Sequence, residues 1–550
     1  MRWKFVALII FITAGYASAQ WEYGGIQISG DNYFTGDLTA ISDGNTGIFA
    51  AWRYYPQQFD PDIYVQHLDS AGYELWPHGG VPAVIEPHGQ YGPRLALDGC
   101  GGVIIAWFDI GRNGADYDIY AQRMNVGGQR LWGDSGRAVV VRDGHQMLLS
   151  DIVADDQGGA LLTWADEFWA YTDTMPVMVQ RIDSTGNVLF CEYGMGVTPL
   201  QGFRQHSPSL LGSSDGNFIV CWGDDRPDGA GPGIYAQKFS ALGEILWDSN
   251  GVPVVVNSAS YGNLKFGATS WGGLYCVWVS SGGIYFQWLD ALGRTGYGLG
   301  GILKVEETSV SSLQFIVDAD SGALAVWLHD VPYPQQYAAY ASFLDTTGTL
   351  LHWYNLPIVA TDIGTIFSLT QTNSGEFEFG ANYGGSIGLR AYKYSFALGL
   401  LWEEHGVPIS CIGCFSGYRP LGVSDMLGGS FFAWHTGEGY PIKANRVYPD
   451  GWVVDVVNDD VTKPERLALF AYPNPFNSSV IIEMAGRNMG NNDIEIFDIR
   501  GALVKRIRAE NGKAVWHAID QRDRSVRSGI YFVRIHEHEE VMSLKVIYIK

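Results

Sequence analysis

The side chains best suited to binding or catalysis collect in a few loops. The segment 53–62 (RYYPQQFDPD) holds Tyr54 and Tyr55, and 108–117 (FDIGRNGADY) holds Asp109. The segment 165–176 (ADEFWAYTDTMP) holds Asp166, Glu167, Trp169 and Tyr171, and 223–233 (GDDRPDGAGPG) holds Asp224 and Asp225. Aromatic rings on loops present flat faces to sugars or peptide aromatics, and carboxylates accept hydrogen bonds or bind cations. Tyr54, Tyr55, Trp169 and Tyr171 are therefore candidate stacking platforms. Asp109, Asp166, Glu167, Asp224 and Asp225 are candidate acceptors. No catalytic residue stands out. A carboxylate pair for glycosidic chemistry is chosen by geometry, not by spacing. Neither a Gly-x-Ser-x-Gly elbow nor a phosphate-cradling loop occurs. His88 and His145 each stand 19 residues before a tryptophan, Trp107 and Trp164. Two histidines fall short of the three or four ligands a metal takes, so neither metal nor cofactor is expected.

These loops belong to a repeat. An apolar run ending in tryptophan recurs at Trp52, Trp107, Trp164, Trp222, Trp278 and Trp327, with intervals of 49 to 58 residues, and again at Trp434. A copy without tryptophan fits between the last two, at Glu376–Tyr383. Each unit carries an alternating run, a Gly-rich turn, the Trp-ending run, a long loop and a D-I-Y-x-Q run (Asp62–Gln66, Asp118–Gln122). A tight D-x-x-G turn follows, then Leu-Trp (Leu75-Trp76, Leu131-Trp132, Leu246-Trp247, Leu401-Trp402) and a G-x-x-V run. This reads as four short strands per unit. The long loops, second-to-third and fourth-to-next-first, then share one face. The element Trp-x-Asp…Arg occurs twice, at Trp107, Asp109, Arg112 and at Trp222, Asp224, Arg226. A contact that repeats in register is expected to hold the fold, here as an ion pair between neighbouring units.

The two ends predict closure. The segment from Trp21 matches a fourth strand, and the eighth unit runs only to its third strand and turn at 444–452. A first strand that completes the last unit closes a ring, although Val453–Val457 could supply that strand locally. Residues 20–458 are thus expected to form an eight-bladed β-propeller, with the recurrent tryptophan as an inter-blade spacer.

Composition agrees. The 550 residues are 47% hydrophobic, 14% aromatic and only 17% charged, with 70 glycines, as an all-β chain rich in turns requires. Residues 20–458 hold 19 Lys/Arg against 45 Asp/Glu. No basic surface is available for phosphates, so a nucleic-acid partner is excluded. Arg2 and Lys4 precede an apolar run, Phe5–Ile12, and Ala17-Ser18-Ala19 follows, which predicts a signal peptide over 1–19. That run is far shorter than the ~20 residues of a membrane span. An exported chain tolerates disulfides, and Cys411 and Cys414 are the expected local pair. Cys221 and Cys276, in strand-like runs, are expected as buried free thiols.

After a polar linker (459–468) the repeat stops. Strand-like runs at 480–484, 494–499, 503–507, 529–535 and 544–549 predict a small antiparallel, Ig-like sandwich over 469–550. YPNPFN (472–477), IFDIRGALVK (496–505), SGIYFVRI (528–535) and KVIYIK (545–550) resemble the C-terminal sorting domain of type IX secretion substrates, a set shared with the Ig-like domain of flagellar hook-capping proteins. The resemblance implies a Gram-negative, Bacteroidota-like host, the type IX machinery as partner, and passage through the periplasm to the cell surface or the medium. One departure is the turn after Trp516-His-Ala-Ile-Asp520, where Gln521–Arg524 replaces the glycine turn of that family. A merely structural cap is the alternative for this module. For the propeller two readings stand. One is a non-catalytic module binding glycan or protein. The other is a secreted hydrolase or lyase acting on polysaccharide.

Overall fold

The computed structural model describes residues 21, 24–30, 34–55, 60–112, 116–168, 175–199, 202–227, 231–256, 262–280, 283–306, 310–317, 322–331, 336–344, 350–353, 363–373, 376–383, 388–395, 399–402, 406–410, 420–436, 441–451, 468–472, 478–485, 493–498, 500–509, 513–522, 524–537 and 540–548. The expected signal peptide, the Cys411–Cys414 pair, linker residues 459–467 and Val453–Val457 lie outside these residues. No helix occurs among them. The chain divides into two units, 1–455 and 456–550.

In the first unit the strands of each sequence repeat pair antiparallel, mostly in chain order, and a parallel pairing of Tyr117 with Gln146 joins the second and third repeats into one eight-stranded sheet. Phe34–Ser42, Ile48–Tyr55, Asp62–Leu68 and Val81–Val84 form one sheet. Gln205–Gly212, Phe218–Asp224, Gly233–Phe239 and Val252–Val256 form another. First strands pack on one another in succession, from Phe34–Ser42 to Gly89–Leu97, His145–Ala154, Gln205–Gly212 and Gly262–Ala268. The succession continues through Val310–Val317, Ile363–Asn373 and Leu421–Ser424, and the last of these packs back on Phe34–Ser42. A closed course of four-stranded sheets is a β-propeller. The final sheet takes its outer strand from the start of the chain, where Ile26 pairs with Ala444 and Gln27 with Lys443.

Three recurring contacts explain why these residue types repeat. The Trp-ending second strand buries its tryptophan against the preceding sheet. Trp107 shares a core with Phe49 and Ala51, and Trp222 shares one with Leu161 and Val177, as expected of a spacer. Each ring also lies on its own fourth-strand turn. A Cβ at Gly136 would meet Trp107 at 2.8 Å, and one at Gly251 would meet Trp222 at 2.6 Å, so both positions are glycine, in left-handed backbone.

The Leu-Trp tryptophan is the second joint. Trp76 Nε1 donates to Val126 O (2.9 Å) and Trp132 Nε1 to Ser184 O (3.1 Å), each in the next repeat's D-x-x-G-type turn. Trp21 makes the same bond to Ser70 O at 3.0 Å, which ties the start of the chain in as an outer strand. The third joint is a base at the end of the third strand. Arg123, Arg181 and Arg446 each pair with a first-turn aspartate, Asp98, Asp155 and Asp425. Each also donates to the next repeat, and Arg446 reaches the same Ser70 carbonyl at 2.7 Å.

The repeat without tryptophan forms its strand at Glu376–Tyr383. Tyr392 from the third strand fills the missing ring's place, stacked on Phe379 at 5.0 Å and lying against Gly406. Its base, Lys393, is 3.4 Å from buried Glu378. Burial raises that carboxyl to about 8, against the pull of Lys393. Cys221 and Cys276 are buried free thiols as expected, and burial pushes both up.

In the second unit Ala468–Tyr472, Val480–Ala485 and Lys513–Trp516 form one sheet. Leu503–Arg508, Asp493–Asp498, Gly529–Glu537 and Glu540–Tyr548 form the other. Both contribute to one core around Ile482, Ile494, Trp516, Val533 and Val546. The unusual turn closes without glycine. Asp520 N donates to Arg524 O (2.9 Å), and the Asp520 carboxylate accepts from the backbone of Arg522 and Arg524.

Candidate functional site

Each buried tryptophan fixes the residues that follow it at the mouth of the second-to-third loop. Two positions on stand Asp109, Asp166 and Asp224, all at most 3% exposed. Each also takes a bond from the start of its own first strand. Gln90 Nε2 reaches Asp109 Oδ2 at 3.3 Å, His145 Nδ1 lies 2.6 Å from Asp166 Oδ1, and Gln205 Nε2 reaches Asp224 Oδ2 at 3.3 Å.

The three differ in how firmly they are held. Asp224 accepts Arg226 Nε at 2.8 Å and Nη2 at 2.6 Å, plus Trp222 Nε1 at 2.8 Å. The Arg226 guanidinium lies 3.7 Å over the Tyr235 ring and donates to Asn250 O, both in the same repeat. The expectation of an inter-repeat ion pair is therefore corrected here. Arg226 follows Asp224 by two residues, and a turn in which Asp224 Oδ1 accepts the Arg226 amide (3.0 Å) folds the pair back on itself. Asp166 does bridge, because Arg142 on the loop before its first strand reaches it at 3.2 Å. Asp109 is held more loosely, with Arg112 Nε at 3.4 Å beside Gln90, and its Oδ1 has no hydrogen-bond partner among the described residues. Burial raises its carboxyl, with Arg112 and Gln90 opposing.

The remaining candidates stay nearer the surface. Glu167 is half-buried, and the Asp225 side chain is 55% exposed, 3.6 Å from His206. Tyr54 packs on Tyr64 at 4.5 Å, and Tyr55 lies 5.2 Å from the Arg53 guanidinium. Trp169 and Tyr171 lie outside the described residues. Among the described residues no group of three His, Cys, Asp or Glu is placed to hold a metal.

Sequence reasoning missed the partners beside Tyr55. Arg53 is 5.0 Å from the Tyr91 ring centre and pairs with Asp37 at 3.1 Å. Tyr91 stacks on Phe108 at 5.7 Å, and Phe108 on Tyr117 at 5.7 Å. All four of these side chains are half-buried. The available signal was a break in the repeat, with Phe108 at a position held elsewhere by Ala165 or Gly223.

Residues 471–550 match the model of the secretion system C-terminal sorting domain. No curated protein matches the chain. Among solved structures, PorZ of Porphyromonas gingivalis, a bacterial surface component of the type-IX secretion system, is similar at 11% identity over 93% of this chain and 81% of that one, with a TM-score of 0.27. The polysaccharide lyase Uly1 is similar at 10% identity over 80% and 94%, with a TM-score of 0.38. The GH93 alpha-L-arabinofuranosidase of Fusarium graminearum is similar at 10% over 58% and 96%, with a TM-score of 0.33. No helix among the described residues is long and apolar enough to cross a membrane.

Proposed function

From a chain whose C-terminal sorting domain marks it for export by type IX secretion to the cell surface or the medium, we propose a non-catalytic propeller that binds glycan or protein on its long-loop face. In this reading residues 1–19 deliver it to the periplasm as a signal peptide. Residues 20–458 are an eight-bladed ring, and 469–550 are an Ig-like sandwich read by the export machinery of a Gram-negative host. The observation that carries the non-catalytic part is the state of the loop-mouth carboxylates. Asp166 and Asp224 are buried and engaged by Arg142 and Arg226, which holds them out of reach of substrate. A general acid and its partner carboxylate must both face a cleft that admits the scissile bond. Tyr54, Tyr55, Glu167 and Asp225, nearer the surface, suit recognition instead.

The test is to incubate the purified chain with polysaccharides and with surface proteins. Binding without release of new reducing ends or peptides is expected. Sustained depolymerisation that tracks the protein through purification would replace this reading with that of a hydrolase or lyase.

A further inference from the structure

The parts of the ring that repeat hold it together, so a feature of one repeat alone needs another reason. In six repeats the residue after the second-strand tryptophan faces a first-strand partner: Arg53 with Gly36, Phe108 with Tyr91, Ala165 with Leu148, Gly223 with His206, Val279 with Gly262 and Leu328 with Ser311. The backbone bulge beside them does recur, with left-handed residues at Asp37, Gly92, Ser207 and Ser312. The bulge is thus part of the fold. The ring pair at Tyr91 and Phe108 is not.

Around that pair, planar groups line up from one repeat into the next. Tyr55, the Arg53 guanidinium, Tyr91, Phe108 and Tyr117 follow one another at 5.2, 5.0, 5.7 and 5.7 Å. Phe34, cross-strand from Tyr55, extends the row with a side chain 65% exposed. A packing cluster hides such rings, and Tyr55, Tyr91, Phe108 and Tyr117 are half-buried, as is Arg53, while the tryptophans beside them are fully covered. Polar groups converge as well. Partial burial, then Tyr55, raises the Tyr91 phenol; Asp60 and Tyr117 act in the same direction and Arg53 opposes. Arg53 is already paired with Asp37, and its Nε–H has no hydrogen-bond partner among the described residues.

We propose that the row Tyr55–Arg53–Tyr91–Phe108–Tyr117 is a binding platform for a neutral glycan. Pyranose rings lay apolar C–H faces on aromatic rings while their hydroxyls exchange hydrogen bonds with phenols and guanidinium N–H groups. A uronate polymer is disfavoured because the only cation in the row is spent on Asp37 and the surrounding propeller is acidic. This site rests on the recognition reading above and names its ligand class.

The experiment is electrophoresis of the full chain through gels holding dextran, mannan, β-1,3-glucan, xylan or polygalacturonate. Retardation by at least one neutral polymer is expected, falling at least tenfold in affinity in Tyr91→Ala and in Tyr117→Ala. Leu242→Ala, at an exposed turn, should bind as wild type. Tyr117→Phe, which keeps the ring, guards against misfolding and should retain part of the affinity. Retardation by polygalacturonate alone, or by no polymer, overturns the proposal. So does neutral-polymer binding that survives both alanine variants. If that surviving binding is lost in Glu167→Ala or Asp225→Ala, the platform fails while recognition by the loop face stands. Cleavage of a polymer whose binding needs Tyr91 fails the non-catalytic reading and leaves the platform in place.

Discussion

The loop mouths of the second and fourth repeats start from the same element and end differently. At Trp222 the aspartate two positions on is locked by a bidentate arginine, an indole N–H and a glutamine. At Trp107 the arginine comes one residue later, the pair opens to 3.4 Å, and one carboxylate oxygen has no partner among the described residues. The looser copy is the one that carries Phe108, Tyr91 and Tyr117. In a repeat protein every copy meets the same packing demand. Where one copy satisfies that demand less well and carries a cross-strand ring pair, Tyr91 with Phe108, in place of the His206–Gly223 pair of the other, binding is the proposed explanation for the departure.

Breaking the tight copy should have the largest effect. Asp224→Ala strands a buried guanidinium and should cost about 3–5 kcal/mol in chemical unfolding of the ring. Asp109→Ala, whose partner is weaker and more exposed, should cost less than about 2 kcal/mol. Equal losses would erase the distinction between the copies.

The closing joint should behave like the other joints. Trp21→Ala removes a ring packed in the last interface and a bond to Ser70, and should cost about 3–4 kcal/mol. The same substitution at Trp76 should cost a similar amount. A negligible effect at Trp21 would mean that the first strand does not close the ring.

A third prediction concerns pH at the same seam. His435 bonds Thr35 across the closure at 3.0 Å, and burial lowers its imidazole to about 4, with Arg53 adding to the shift and Asp37 opposing it. The unfolded histidine, near 6.5, takes up its proton first. Stability is therefore full above pH 6.5 and falls by roughly 3 kcal/mol as pH drops from 6.5 to 4. His435→Gln should flatten that part of the unfolding profile. Glu378 slopes the other way: its raised carboxyl favours the fold at low pH and costs stability as pH climbs from 4.5 towards 8. Glu378→Gln should thus gain on wild type with rising pH.

The smallest effect is expected in the C-terminal unit. Arg524→Gly restores a glycine to a turn that already closes, with an exposed side chain, and should change stability by no more than about 0.5 kcal/mol. A larger loss would show that Arg524 holds the turn.

Much of the fold was legible because it repeats. Tryptophan spacing marked the sheets, the match of Trp21 to a fourth strand marked the closure, and Glu376–Tyr383 marked the strand that lost its tryptophan. A period of about 55 residues is a long-range constraint written locally. The site was less legible. Asp109, Asp166 and Asp224 were recognisable as loop acids, yet their burial depends on Gln90, His145 and Gln205, which lie about 20 residues upstream and reach them only across paired strands. Arg53 and Tyr91 sit on different sheets, joined by nothing local. Only the absence of a ring at Ala165 and Gly223 hinted that Phe108 was unusual.

The central claim is that repeated contacts hold this ring while the unrepeated row binds. It is tested most directly by the urea midpoint of Tyr91→Ala beside wild type, with and without the neutral polysaccharide that retards wild type. The account predicts equal midpoints without polysaccharide and a rise on its addition for wild type alone. A Tyr91→Ala midpoint already lower by the equivalent of about 2 kcal/mol or more, or an equal rise in both proteins, would contradict it.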